Sequence, residues 1–372
     1  MVLRSLTRKP VELWHRYERH LSAGSMAVGF VFDLFLANRP DSAKDNILLL
    51  FYLCLAASLI IILNLRTARK RKSQPSYQPL FLLLVLQFCF GGLSSNMLVL
   101  YGRSGTLAGS TLFILLLFSM LIGNEFLKTR YSQLRFNIVV FYLLLLTYCI
   151  IAVPTFIFHA VGTWVFLASG AISIGIVSIF LFLVYIIVLR GNERVQQLYE
   201  VSVLVGCVLA LFTGLYFLKI IPPVPLSLKD IGVYHSIARL DTPGGSQNIY
   251  TATYEPAPWY EFWRDTSATY TVSTSERTTC FSSVFAPTDL SAPVYHRWEK
   301  YDDTAKHWQT VSRVSFPING GRGEGYRGYT FADVTPGRWR CDVETENGAL
   351  IGRVSFTVVK ASVVPAFSTR EL

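Results

Sequence analysis

This sequence predicts an α-helical polytopic membrane bundle of about seven spans, followed by an all-β, immunoglobulin-like sandwich. Three observations lead there. Apolar runs near the roughly 20 residues that a bilayer core demands recur as far as Leu218. Three prolines within four residues, at 222–225 (PPVP), then stop any further helix. From Asn248 onward the chain turns to short alternating runs separated by Gly, Pro, Asp and Asn, the pattern of strands and turns. The expected division is 1–22 for a basic interfacial helix, 23–218 for the bundle, 219–245 for a Pro-rich hinge and linker, and 246–372 for the β domain.

The charge distribution excludes one function class at once. Of 34 Lys/Arg and 24 Asp/Glu, 16 of each lie from Lys219 onward, which leaves 18 against 8 in the membrane half. The net charge of +10 is therefore carried by the loops of the bundle, where basic residues set topology, and a nucleic-acid partner is not expected.

The segment 4–21 (RSLTRKPVELWHRYERHL) places Val11, Trp14 and Leu21 on one helical face and reads as a helix lying on the membrane. For the next apolar run a cleaved signal peptide is the rival, but no small-residue cleavage site appears, so Ala23 to Ala37 is expected as a short first span. The others are Asn46 to Leu65, Leu80 to Tyr101, Gly105 to Leu127, Phe136 to His159, Thr163 to Leu189 and Val201 to Leu218. Alternate connections hold 15 and 3 basic residues, the first set including Arg66, Arg69, Lys70, Arg71, Lys72, Lys128, Arg130 and Arg135, the second only Arg39, Lys44 and Arg103. By the positive-inside rule the N-terminus is cytoplasmic and the β domain lies outside, and the absence of any Asn-x-Ser/Thr sequon favours a bacterial inner membrane.

Intramembrane polar residues are functional candidates because a charge in lipid is costly: Asp33, Gln87, Asn96, Glu125 and His159. Glu125 has Lys128 nearby, His159 sits at an interface, and Gln87 or Asn96 can simply bond a neighbouring helix. Asp33 is the hardest to dismiss. It carries the alternative reading of a small transporter or channel, with the β domain as regulator. Gly206, Ala210 and Gly214 form a small-residue stripe expected to be a packing seam inside the bundle.

In the second half, strands are expected at 248–255, 269–275, 278–286, 293–301, 308–316, 325–331, 337–345 and 349–359, with turns at Pro336-Gly337 and Asn347-Gly348. Four cysteines lie in apolar runs, leaving Cys280 and Cys341 for the β domain. Without a CxxC or a Cys/His cluster in sequence, no metal site or cofactor is expected. The order Cys280, Trp298, Cys341, with Trp339 two positions before the second cysteine, follows an immunoglobulin-type core. It predicts a Cys280–Cys341 disulfide, stabilising the domain by roughly 3 to 4 kcal/mol.

The set YHRW (295–298), FPINGGRGEGYRGYT (316–330), PGRWRCDVET (336–345) and GRVSFTVV (352–359) resembles the bacterial domain of unknown function 2914, found at the C-terminus of multi-spanning membrane proteins. The resemblance covers about 70 residues, 293–359, and implies no catalytic residue. Valine is the family's residue where Cys341 stands, which makes the cysteine pair a local addition.

No enzyme is expected. His296, His307, Asp302 and Asp303 are the acid/base residues that cluster, and in a strand and its turn they read as solvated. The glycine-rich NGGRGEG (319–325) lacks the Lys-Ser/Thr of a phosphate loop and reads as a flexible hairpin. His296 and Arg297 remain candidates for binding. So does the loop EPAPWYEFWRD (255–265), whose Trp259, Tyr260, Phe262 and Trp263 either fold back onto the domain or dock on lipid or on the outer ends of the spans. The function expected is presentation of a β domain outside the membrane, to membrane lipid and to an envelope protein or glycan.

Overall fold

The computed structural model describes residues 41–69, 80–106, 109–126, 134–189, 194–240, 249–261, 264–272, 277–360 and 366–372. The chain divides into two compact units. One is helical and runs to Ile220; the other comprises Ile221–Leu372 together with the short segments Arg103–Thr111 and His159–Gly162.

The helical unit contains α1 (Ala43–Arg69), α2 (Leu80–Ser104), α3 (Thr111–Phe126), α4 (Leu134–Ala152), α5 (Thr163–Ile187) and α6 (Arg194–Phe217). At the start of α1, Ser42 Oγ accepts the N–H of Asp45, supplying an N-terminal cap. Five helices among the described residues are long and apolar enough to cross a membrane: all but α3. Two of the expected seven are not among them. Ala23 to Ala37, with Asp33, lies outside the described residues. The expected span from Gly105 starts late because the Thr106 carbonyl accepts the N–H groups of both Gly109 and Ser110, forming a tight turn before Thr111. The described part of α3 is 16 residues, about 24 Å, and residues 127–133 that follow it lie outside the described residues. After α4, Pro154 lacks an N–H for the helical ladder, and Val153–Phe158 continue as a π-helical turn in which Thr155 Oγ1 bonds the Ile151 carbonyl at 2.7 Å.

Aromatic side chains knit this unit. Tyr101 bonds the Thr147 carbonyl at 3.0 Å and packs on Phe113, which meets Phe212 edge-on, so α2, α3, α4 and α6 are tied in one chain of contacts. Phe166 of α5 stacks on Tyr216 of α6 at 3.9 Å. Among the described residues nothing packs on the expected seam of α6: Gly206, Ala210 and Gly214 are exposed, and apart from the helix's own backbone no described atom lies within 4 Å of a Cβ built at either glycine.

Among the described residues the β unit has three sheets. The five-stranded one has the order β4 (Thr269–Val272), β10 (Leu350–Lys360), β9 (Gly337–Thr345), β6 (Ser291–Asp302), β7 (His307–Asn319), with β4 parallel to β10 and the rest antiparallel. A second has the order β1 (Ser227–Tyr234), β5 (Arg277–Phe285), β8 (Tyr326–Asp333), and a third β11 (Ser368–Glu371), β3 (Ile249–Tyr254), β2 (Ser236–Leu240). The first two enclose one core in which Val233, Cys280 and Ala332 of one sheet meet Trp298, Trp339, Cys341 and Phe356 of the other. Tyr234, Ala252 and Phe281 join the third sheet to the outside of the second.

Two expectations change here. The stretch 219–245, read as hinge and linker, contains β1 and β2. LKDIGVY has little strand pattern of its own, but β5 captures its backbone in register from Ser227↔Phe285 to Tyr234↔Thr279. Nor does NGGRGEG close a hairpin, because β7 and β8 belong to different sheets and the loop carries the chain from one layer to the other. It is closely built. A Cβ at Gly320 would stand 1.6 Å from the Pro287 carbonyl oxygen, and Gly321 and Gly325 adopt φ of +96° and +87°.

Candidate functional site

Strand alternation on β6 and β9 sends Trp298, Trp339, Cys341 and Val343 to the core and Tyr295, Arg297, Glu299, Arg340, Asp342 and Glu344 to the opposite face. There the strands interlock charges. Asp342, wholly buried, accepts from Arg353 Nε and Nη2, both at 2.6 Å, and from Arg297 Nη2 at 3.1 Å. Glu344 lies between Arg297 Nε at 3.1 Å and Arg313 Nε at 2.7 Å, and Glu299 pairs with Arg340. Hydrogen bonding to Asp342 raises the Arg353 guanidinium above its usual pKa. Aromatic rings continue the ladder, with Arg313 3.9 Å from the Tyr295 ring centroid, Arg340 4.3 Å from Trp308 and Arg338 3.7 Å from Tyr301. Arg297, a predicted binding residue, is thus committed to Asp342, to Glu344 and, at 3.7 Å, to Glu299. The arrangement forms a charge-compensated surface. Its other members escaped the sequence reading, although RWRCDVET and YHRWE both show charge at every second residue.

His296 is corrected from solvated residue to core residue. It has no exposed surface, its Nε2 lies 2.7 Å from Ser282 Oγ and its Nδ1 2.9 Å from Thr330 Oγ1, and burial pushes its pKa down to about 3. The His296 ring lies beside a disulfide joining Cys280 of β5 to Cys341 of β9. His307, Asp302 and Asp303 lie at the β6–β7 turn, where Asp302 Oδ1 accepts from the backbone of Thr304 and Ala305; no acid/base cluster with His296 forms.

The aromatic loop is held at its base and bare at its tip. Glu255 accepts from Thr271 N at 2.6 Å and Thr271 Oγ1 at 2.9 Å and lies 2.9 Å from His235 Nε2. Pro256 bridges to Thr266, Arg264 donates to the Ser355 carbonyl at 3.0 Å, and Arg370 donates to Asp265 at 2.7 Å. Between these tethers Trp259 is 90% exposed and Tyr260 59%, their rings meeting edge to face at 6.0 Å. Phe262 and Trp263 lie outside the described residues.

Of the predicted polar residues of the helices, those with described side chains share a single helix, α2. Gln87 and Asn96 are buried, and Asn96 Nδ2 donates to the Gly92 carbonyl of its own helix at 2.9 Å. Glu125 lies on α3, and its side chain, like Asp33, is outside what is described. Other polar contacts cross between helices: Tyr148 OH to Asn46 Oδ1 and Tyr142 OH to Ser173 Oγ, each 3.4 Å.

A helical unit with membrane-length apolar helices, followed by a β unit with one charge-laddered face, is the class of protein that these observations define. Residues 291–358, from the start of β6 into β10, match the DUF2914 family, described as protein of unknown function. No curated protein matches the chain. Among solved structures, the Pseudomonas fluorescens alkylpurine DNA glycosylase AlkC bound to DNA containing an abasic site analog aligns with 82% of this chain and 96% of its own at 12% identity. Its TM-score of 0.21 gives no basis for a shared fold.

Proposed function

We propose that this is an integral protein of a bacterial cytoplasmic membrane that holds an immunoglobulin-like β domain outside the cell membrane, rests its aromatic loop on the outer leaflet, and binds an envelope protein or glycan. The observation that carries the proposal is the Trp259–Tyr260 tip, exposed on a loop tethered by Glu255, Arg264 and Asp265. Tyr and Trp favour the headgroup region because each has an apolar ring and a polar end, and a tethered loop has little ordering left to lose on docking.

Three further features support the reading. Only 33% and 17% of the residues in the apolar stretches of α5 and α6 are buried, and exposed side chains such as Ile179, Phe182 and Ile186 suit a hydrocarbon solvent. The segments 103–111 and 159–162, which belong to the same unit as the β domain, are among those that the basic-residue count over the seven expected spans assigns to the outside. Immunoglobulin-like topology is supported by the strand orders β1-β5-β8 and β4-β10-β9-β6-β7, with a disulfide between β5 and β9 and Trp298 on β6.

Two measurements test the proposal. A C-terminal phosphatase fusion should be active and a C-terminal fluorescent protein dark; the reverse pair refutes the orientation. A fragment of residues 221–372 should float with anionic liposomes and lose most of that binding on joint Trp259→Ala and Tyr260→Ala substitution. Equal flotation of both, or of neither, refutes lipid docking.

A further inference from the structure

We propose that Cys280, Cys341 and His296 form a binding site for one Zn2+ ion in the chain whose two thiols have not yet been oxidised. In the oxidised structure the two sulfurs, bonded to each other, and one imidazole nitrogen lie within 4.8 Å of one another, and all three residues are fully buried. Nothing in the sequence places them together; strand register does. Trp298 pairs with Cys341 and His296 with Val343 across β6 and β9, while Cys280 comes from β5 in the opposite sheet.

Three features fit a thiophilic ion. Two thiolates neutralise Zn2+, so the loaded site brings no net charge into the buried core, and three protein ligands leave one position for a water that enters with the ion. The ligands come from hydrogen-bonded strands, and the cysteine Cα atoms stand 6.6 Å apart, which leaves room for the sulfurs to rotate to either side of an ion. The ring of His296 is also oriented. Thr330 Oγ1, itself held by Trp298 Nε1–H at 3.0 Å, lies against Nδ1, and Ser282 Oγ against Nε2. One ring nitrogen exchanges its hydroxyl partner for the ion and the other keeps it, the outer-shell arrangement that fixes metal-binding histidines.

The chemistry balances simply. Binding of Zn2+ by the dithiol releases two protons and moves no electron. Oxidation then transfers two electrons from the thiolate pair to a disulfide-bearing acceptor, forms the Sγ–Sγ bond and expels the ion. The core is thus cross-linked between its two sheets in both states, by metal before oxidation and by a covalent bond after it.

The test uses the full chain in detergent, with Cys54, Cys89, Cys149 and Cys207 replaced by alanine so that only the β-unit thiols remain. After anaerobic reduction with a phosphine, one equivalent of Co2+ should give thiolate-to-metal charge-transfer absorption that Zn2+ abolishes. The same protein left oxidised should give none, and nor should Cys341→Ser. His296→Gln should weaken Co2+ binding at least tenfold. In case that variant fails to fold, X-ray absorption at the zinc edge of the reduced, otherwise unsubstituted chain should show two sulfurs and at least one imidazole nitrogen. Absence of charge-transfer absorption, unchanged affinity in folded His296→Gln, or a shell without imidazole would overturn the proposal.

Discussion

Truncating Asp342 tests whether the charged face is a structural unit. Its carboxylate is fully buried and accepts three hydrogen bonds from Arg353 and Arg297, whose side chains are 27% and 29% exposed. Breaking a fully buried pair costs about 3–5 kcal/mol, and an exposed one about 0.2–1 kcal/mol. Here both guanidiniums reach solvent and can rehydrate once the carboxylate is gone, so Asp342→Ala should cost about 2–3 kcal/mol. Asp342→Asn, which keeps the shape and one acceptor, should cost roughly half of that. A double-mutant cycle with Arg353→Ala should return a coupling of about 1.5 kcal/mol, whereas Asp342→Ala with Arg338→Ala, whose partners are Asp303 and Tyr301, should be additive within about 0.5 kcal/mol. The assay is urea unfolding of a fragment of residues 221–372, followed by the fluorescence of the buried Trp298 and Trp339. A cost below about 0.5 kcal/mol for Asp342→Ala, or no coupling to Arg353, would show that the ladder contributes nothing measurable to the fold.

Three other perturbations have defined outcomes. With chelator present to exclude metal, reducing Cys280–Cys341 frees a loop with a sequence separation of 61 residues, which the chain-entropy relation puts at about 4 kcal/mol; an unchanged urea midpoint would refute this. His296 is held neutral in the fold, with its pKa lowered from 6.5 to about 3, so the unfolded chain binds the extra proton between those values. Stability is therefore full above about pH 6.5 and falls by up to about 1.4 kcal/mol per pH unit toward pH 3; His296→Gln should reduce that slope, measured as urea midpoint against pH. Gly320→Ala should destabilise the β unit by about 2–4 kcal/mol, because the new Cβ meets a backbone oxygen and not a flexible side chain; an unchanged midpoint would show that the loop can shift.

Local pattern was enough to read much of the architecture. Apolar runs of membrane length gave five helices their places, since a 20-residue apolar window is a property of the segment itself. Strand β9 is read from sequence at 337–345 and found at Gly337–Thr345, because Pro336-Gly337 and Asn347-Gly348 bound it with turns while its period of two persists between them. What the sequence could not decide was anything that depends on a partner strand. Ser227–Tyr234 looks like linker and becomes a strand because β5 offers it an edge; NGGRGEG looks like a hairpin and instead crosses between sheets. Arg297 meets Asp342 and Glu344 only through the β6–β9 register, 45 and 47 positions apart in the chain, and that register together with the facing sheet buries His296 beside two sulfurs. Period sets which face a side chain takes; long-range backbone hydrogen bonding chooses its neighbours there, and on those neighbours depends whether a histidine or an arginine is surface, core or ligand.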